Sequence, residues 1–427
     1  MPRAVLILLA RTGLLRLASA ARVRQWVANA STSTPLRQQA APRQLLVDVS
    51  VIHQHDAGTG IQRVVRSVLR HLQAAPPEGF AVRCVVAESK RSYHYADLPG
   101  QQGTQKITVQ PGDIFLGLDL AAHLLPRHFG QLLEWKQAGA SLHFVVYDML
   151  PLTHPSQFKT ARVRHFQRWA RLIATMADSL LCISHAVERD LQHWLSQNAG
   201  LSPAQLPTQV IPLGGDFYKD TQAAPSRPSP EVLQALSQLQ GKHWALMVGT
   251  LEPRKCHAQV LDAFEHLWQR QNPAALVLVG RPGWHIEQLQ QRITQHPQLN
   301  RNLYWFGAAS DAELELLYRR TTGVVVASLA EGYGLPLSEA LNHGKPLLAR
   351  DIPVFREVAG EHAKYFTDDT PAALSQTLQD WLTTPRPANA ATNLRPTHTW
   401  AEATRHILQA LGMAAANRQP LSEAQSA

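Results

Sequence analysis

The chain has 427 residues, 45 % apolar and 17 % charged, a soluble globular composition large enough for two domains that excludes disorder over most of its length. The formal net charge is +9, but residues 1–47 hold seven arginines and no acid, so the remaining 380 residues carry only +2 and show no nucleic-acid footprint. Cys84, Cys182 and Cys256 are far apart, odd in number and in no metal-ligand spacing, which suggests neither a disulfide framework nor a zinc site and favours a reducing compartment.

Residues 1–43 come first. Their apolar run before Arg11 is seven residues long, too short to span a bilayer. A basic, leucine-rich, acid-free segment reads as a helix resting on an anionic membrane, with a cleaved secretion signal and a mitochondrial transit peptide as the alternatives. Its apolar residues do not fall cleanly on one helical face, which counts against the membrane reading.

Residues 44–215 alternate short apolar runs ("QLLVDVS", "AVRCVVAE", "DIFLGLDL", "SLHFVVYD", "SLLCIS", "TQVIPLGG") with amphipathic ones, including a long helix within 155–177. Residues 216–240, beginning "DFYKDTQAAPSRPSP", read as a linker. In 241–387 the alternation returns, from "HWALMVGT" and "HAQVLDAFEHLWQR" to "AKYFT" and "AALSQTLQDWL". A last amphipathic helix is expected within 388–415 and a disordered tail over 416–427. Strands alternating with helices predict an α/β fold of two doubly wound, Rossmann-like domains. Ligands of such sheets bind beyond the carboxyl ends of the strands, so the chemistry is expected in a cleft between the two domains.

The stretch "SLAEGYGLPLSEALNHGK" places Glu331 and Glu339 either side of Gly332-Tyr333-Gly334, with Pro336 in a first helical turn and Gly344 placed to end the helix. A helix N-terminus reached through glycines suits a phosphate, and carboxylates on either side suit sugar hydroxyls. A lone reading of Glu339 as dipole complement and Glu331 as surface residue stands beside this one. Arg254 and Lys255 in "VGTLEPRKCH" would meet a diphosphate; an Arg-Lys pair in a loop is otherwise solvated surface. In "HDAGTGIQR", Gly58 and Gly60 precede a helix, but Arg63 replaces the last glycine of a dinucleotide fingerprint, leaving a glycine loop over the reacting sugar or an ordinary strand-to-helix turn. Asp148, His154 and Ser184 are further cleft candidates, and Ser184 serves equally as the cap of the next helix.

"GTLEPRK", "LVLVGRPGW", "WFGAASDAELELLYRR" and "SLAEGYGLPLSEAL", in this order over roughly residues 243–367, resemble the large group 1 family of retaining GT-B glycosyltransferases that includes bacterial mannosyl- and rhamnosyltransferases of polysaccharide and O-antigen assembly. "DAGTGIQRVVRSVL", "VVYDMLPLTHP", "CISHAVERDL" and "VIPLGGD" are weaker matches. The resemblance implies that Glu339 holds the ribose, that Glu331 lies by the donor sugar, and that Gly334 and Leu335 amides beside Tyr333 hold sugar and diphosphate. It implies that Lys255 and Arg254 stabilise the leaving diphosphate, and that the base lies against Gly280, Arg281, Phe306 and Gly307. Two positions depart from the family pattern: Tyr147 precedes Asp148 where many relatives have His, and Cys256 follows Lys255 where Asn is common.

By this resemblance the chain is a hexosyltransferase using a nucleotide sugar as co-substrate, GDP-mannose first and dTDP-rhamnose next, with no metal and no cofactor. Its acceptor is a saccharide or lipid-linked glycan, and its place is cytoplasmic, peripheral on the inner membrane, with no nucleic-acid partner. A sugar-nucleotide epimerase of similar shape and a non-catalytic sugar- or nucleotide-binding partner are the competing readings; the intact Glu331, Glu339, Arg254 and Lys255 argue against the latter.

Overall fold

The computed structural model describes residues 5–6, 18–30, 42–96, 107–217, 227–367, 370–384 and 398–413, so the tail expected over 416–427 lies outside the described residues. The chain divides into two compact units, one of Met1–Ile183, Val187–Pro212 and Trp400–Ala427, the other of Ser184–Ala186 and Leu213–Thr399.

The first unit has seven strands: β1 (Arg43–Asp48), β2 (Phe80–Val86), β3 (His94–Tyr95), β4 (Ile114–Gly117), β5 (Ser141–Val146), β6 (Ser179–Cys182) and β7 (Thr208–Val210). Their order is β3-β2-β1-β4-β5-β6-β7, parallel except for β3 on β2. Leu45, Leu46 and Val47 of β1 are all fully buried, as an unbroken apolar run in a sheet covered on both faces requires. The helices are α1 (Ala20–Ala30), α2 (Ser50–Gln54), α3 (Gly60–Ala74), α4 (Phe129–Gln137), α5 (Leu150–Thr153), α6 (Thr160–Met176) and α7 (His185–Trp194). Thr59 and Gln62 form a reciprocal capping box that starts α3, next to the glycine loop. Helix α1 packs on α6 and buries Ala20, Val23 and Val27. The apolar face that would have rested on lipid is therefore spent inside the protein over this part of residues 1–43.

In the second unit the strands are β8 (Trp244–Val248), β9 (Ala275–Val279), β10 (Leu303–Phe306), β11 (Gly323–Val326), β12 (Leu347–Arg350) and β13 (Ala363–Phe366), in the order β10-β9-β8-β11-β12-β13 and all parallel. That is the Rossmann order, reversing between β8 and β11. Alternate strand residues feed two cores: Leu246, Val277, Val324 and Leu347 on one face, Met247, Leu276, Val325 and Leu348 on the other. The helices are α8 (Pro230–Gln238), α9 (His257–Gln269), α10 (Glu287–Thr294), α11 (Asp311–Arg320), α12 (Leu335–Asn342), α13 (Pro353–Ala359) and α14 (Pro371–Thr383). The last helix, α15 (Trp400–Ala410), belongs to the first unit and packs on α3.

Of the linker expected over 216–240, residues 218–226 lie outside the described residues, and Pro230–Gln238 are helix α8 instead. Ser229 caps it by accepting from Val232 N–H, Pro230 occupies the first turn, and Val232, Ala235 and Leu239 are buried in the core. The Pro-Ser punctuation that suggested a linker is here the start signal of a helix.

Candidate functional site

Because β8 and β11 are neighbours, the loops leaving their carboxyl ends meet at the switch point of the second sheet. The first loop carries Arg254 and Lys255, the second Glu331. The backbone stitches the loops together, Leu329 N–H donating to Arg254 C=O at 2.9 Å. Lys255 Nζ is ion-paired with Glu331 Oε1, and Arg254 Nη1 lies 3.0 Å from Glu331 Oε2. The same guanidinium donates to Ala330 C=O at 2.5 Å and reaches Glu252 Oε2 at 3.3 Å. Burial works to raise the pKa of Glu331, but Lys255, Arg254 and hydrogen bonds from Lys255 and Ser328 outweigh it and hold the carboxyl down at about 2. Glu252 and Glu331 balance the two cations, so Arg254 is clamped between loops while Lys255 pairs with a single carboxylate.

Next in the chain comes the turn that opens α12. Gly334 has φ +98°, and a Cβ there would lie 2.9 Å from Phe355 Cε1, so both conformation and space demand glycine. The Tyr333 ring is buried and its hydroxyl donates to Leu213 C=O at 3.1 Å, so its side chain anchors the turn. Ser184 is counted with the second unit and its hydroxyl donates to Gly332 C=O at 2.7 Å, fastening the same turn. Glu339 lies on α12, 3 % exposed, accepting from the Tyr318 hydroxyl at 2.6 Å. Tyr318 is in turn stacked on His343, with ring centroids 5.5 Å apart.

The four positions expected near the base follow β9 and β10. Gly280 presses on the loop after β8, since a Cβ there would stand 1.9 Å from Gly249 C=O; its own carbonyl accepts from Trp305 Nε1 at 3.0 Å. Arg281 is exposed, and Phe306 and Gly307 are half-buried at the end of β10. Three residues here escaped the sequence reading. Gly249 is one, because a Cβ on it would lie 3.7 Å from the Lys255 side chain. Ser328, 2 % exposed and bonded to Glu331, is another; its only sequence signal is its place at the end of "VVVAS". The third, His257, begins α9 with both ring nitrogens lacking a partner, and burial followed by the charge of Lys255 pushes its imidazole down to about 3.

In the first unit the switch point lies between β1 and β4. Gly58, with φ +64°, and Gly60 lie in the exposed stretch leading into α3. Two carboxyls that the sequence did not disclose sit at the carboxyl ends of β1 and β4. Asp48, at the end of β1, accepts from Tyr93 Oη at 2.8 Å and from Ser50 N–H at 2.9 Å. Asp119, after β4, accepts from the N–H groups of Val51 and Ile52, both at 2.8 Å, and so fixes α2. Burial, with the neighbouring charge of Asp119 second, raises the Asp48 carboxyl to about 7. Asp148 accepts from Leu150 N–H at 3.1 Å, and His154 is exposed with Nδ1 2.9 Å from Thr153 Oγ1. Among the described residues no group of three or more His, Cys, Asp or Glu side chains could hold a metal ion, and no helix is long and apolar enough to cross a membrane.

Two Rossmann-like α/β units in one chain, the second with this site at its switch point, place the fold with the GT-B glycosyltransferases. The sucrose-phosphate synthase of Thermosynechococcus elongatus aligns over 87 % of this chain and 98 % of its own at a TM-score of 0.59 and 17 % identity. Anabaena Alr3699/HepE in complex with UDP-glucose aligns over 86 % and 99 % at 0.57 and 15 %. Residues 231–396 match the family described as glycosyl transferases group 1, so the second unit carries a group 1 glycosyltransferase domain. The Escherichia coli serotype-specific mannosyltransferase WbdA is 39 % identical over 350 residues, covering 80 % of this chain. The chain spans about two fifths of that relative, since the match covers 41 % of it.

Proposed function

We propose that the chain is a retaining, metal-independent hexosyltransferase that moves mannose from GDP-mannose to a saccharide or lipid-linked acceptor in O-antigen-type polysaccharide assembly, as a peripheral protein of the cytoplasmic face of the inner membrane. The observation that carries this reading is the Arg254–Lys255–Glu331 cluster at the switch point, immediately before the glycine turn that opens α12. The mannosyltransferase named among its relatives supports the sugar.

In this reading the diphosphate replaces Glu331 as the partner of Lys255, while Arg254 keeps the two loops in register. The freed Glu331 carboxylate faces the donor sugar, and Glu339, steadied by Tyr318, accepts the ribose hydroxyls. Lys255 and the N-terminus of α12 stabilise the charge that develops on the departing diphosphate. The acceptor hydroxyl enters on the face the diphosphate leaves; its oxygen bonds to the anomeric carbon, the carbon–phosphate-oxygen bond breaks, and a diphosphate oxygen takes the proton. A protein base is not required.

The test is transfer from GDP-mannose, dTDP-rhamnose and UDP-glucose to a mannose-terminated oligosaccharide, with the anomeric configuration of the product read by NMR. Retained configuration with GDP-mannose preferred is expected, and activity should persist in EDTA. Inversion of configuration, or loss in chelator restored by magnesium or manganese, would overturn the mechanism. Interconversion of the nucleotide sugar without acceptor would establish the epimerase reading instead.

A further inference from the structure

We propose that the solvent face of α6, with α1 beside it, is a docking surface for an anionic membrane. Between Asp148 and Asp178 there is no acidic residue, while Lys159, Arg162, Arg164, Arg168 and Arg171 all fall there. Helix α6 sorts them. Phe166, Trp169, Ala170 and Ile173 point into the unit, and Arg164 and Arg168, one turn apart, are exposed. Like charges at this spacing disfavour a helix. Where acids stand nearby, exposed arginines pair with them, as Arg319 does with Glu315 one turn away at 2.5 Å and Arg356 with Asp351 at 2.7 Å. Among the described residues Arg164 and Arg168 have no such partner.

Neighbouring elements extend the surface. His165 stacks on His123 with centroids 6.4 Å apart, and Arg127 lies close enough to bear on His123. Arg171 donates to Ala18 C=O, tying α6 to the entry of α1. With its apolar stripe spent on α6, α1 presents exposed Arg22 and, one turn on, half-exposed Trp26. An indole beside cations suits the headgroup layer of a bilayer, which favours lipid over a soluble polyanion. The inference locates the membrane contact of the proposed function and rests on that reading only for the identity of the lipid-linked acceptor.

Full-length protein is sedimented with phosphatidylcholine vesicles, with and without phosphatidylglycerol, at about 0.05 M and about 0.5 M salt. Binding is expected only to the anionic vesicles and to fall at high salt. Arg164→Glu/Arg168→Glu should lower the vesicle-bound partition at least about tenfold, Arg164→Gln/Arg168→Gln by a smaller factor, and Trp26→Ala should lower it further. Transfer to a soluble oligosaccharide should match the parent in all three. Parental sedimentation of both double variants, with melting temperatures unchanged, would overturn the proposal. So would loss of binding on deleting residues 1–17 alone, or equal binding to soluble polyphosphate that ignores Trp26→Ala. Absence of sugar transfer with vesicle binding intact would sink the proposed activity and leave the docking surface standing.

Discussion

In the proposed function Glu339 is the residue that meets the nucleotide; it is 3 % exposed and its carboxylate accepts from Tyr318. Glu339→Ala should weaken nucleotide binding by roughly 1.5–3 kcal/mol, the worth of a hydrogen bond to a charged group, and Tyr318→Phe by about 1 kcal/mol. Titration calorimetry with GDP decides it; parental affinity in Glu339→Ala removes that residue from the site. Asp48 governs a different observable. Its folded pKa of about 7 stands above the usual carboxylate value, so the folded state holds the proton more tightly than the unfolded one. Stability from this group is full below about pH 4, declines as pH rises, and levels off above about pH 7. Asp48→Asn should flatten that slope in chemical denaturation measured across the window, and a slope unchanged in the variant would mean that Asp48 does not titrate there.

At the scale of elements, α12 depends on its first turn. Gly334→Ala places a side chain at φ +98° and against Phe355, so a loss of about 1–3 kcal/mol in stability is expected, together with a fall in turnover. Phe355→Leu in the same protein should relieve the crowding and not the backbone strain, giving partial recovery of the melting temperature; full recovery would assign the whole effect to packing. The sequence discloses this turn because glycine, proline and a strand ending in "VVVAS" are local signals. The strands are legible for the same reason, being runs of consecutive apolar residues such as Leu276, Val277 and Leu278 that feed both cores. Partners brought by topology are not legible. Asp48 and Asp119 become neighbours because β4 lies beside β1, and Glu331 reaches Lys255 because β11 lies beside β8. Hydrophobic periodicity carries no strand order. Helix α8 was hidden differently, its cap and its proline being the same residue types that punctuate a loop.

For the molecule as a whole, the path of the chain decides which pieces stand alone. The second unit is continuous from Leu213 to Thr399 but for three residues, whereas the first is completed by α15, which buries Trp400, Ile407 and Leu408. A fragment of residues 213–399 should therefore unfold cooperatively on its own. A fragment of residues 1–212 should melt well below the intact first unit, and a peptide spanning 398–413 should restore it; an equally stable fragment without the peptide would make α15 dispensable. Calorimetry of the fragments reads both outcomes.

The return of α15 also sets an order in time. A ribosome releases the strands of the first sheet before those of the second, yet the helix that covers α3 follows only after the whole second unit has been made. At about 5–20 residues per second that interval is on the order of 10–40 s. During it the flank of α3 on which α15 packs has no covering helix, so the nascent first unit offers a chaperone an apolar strip, while the second unit, translated later, is the earlier to be complete.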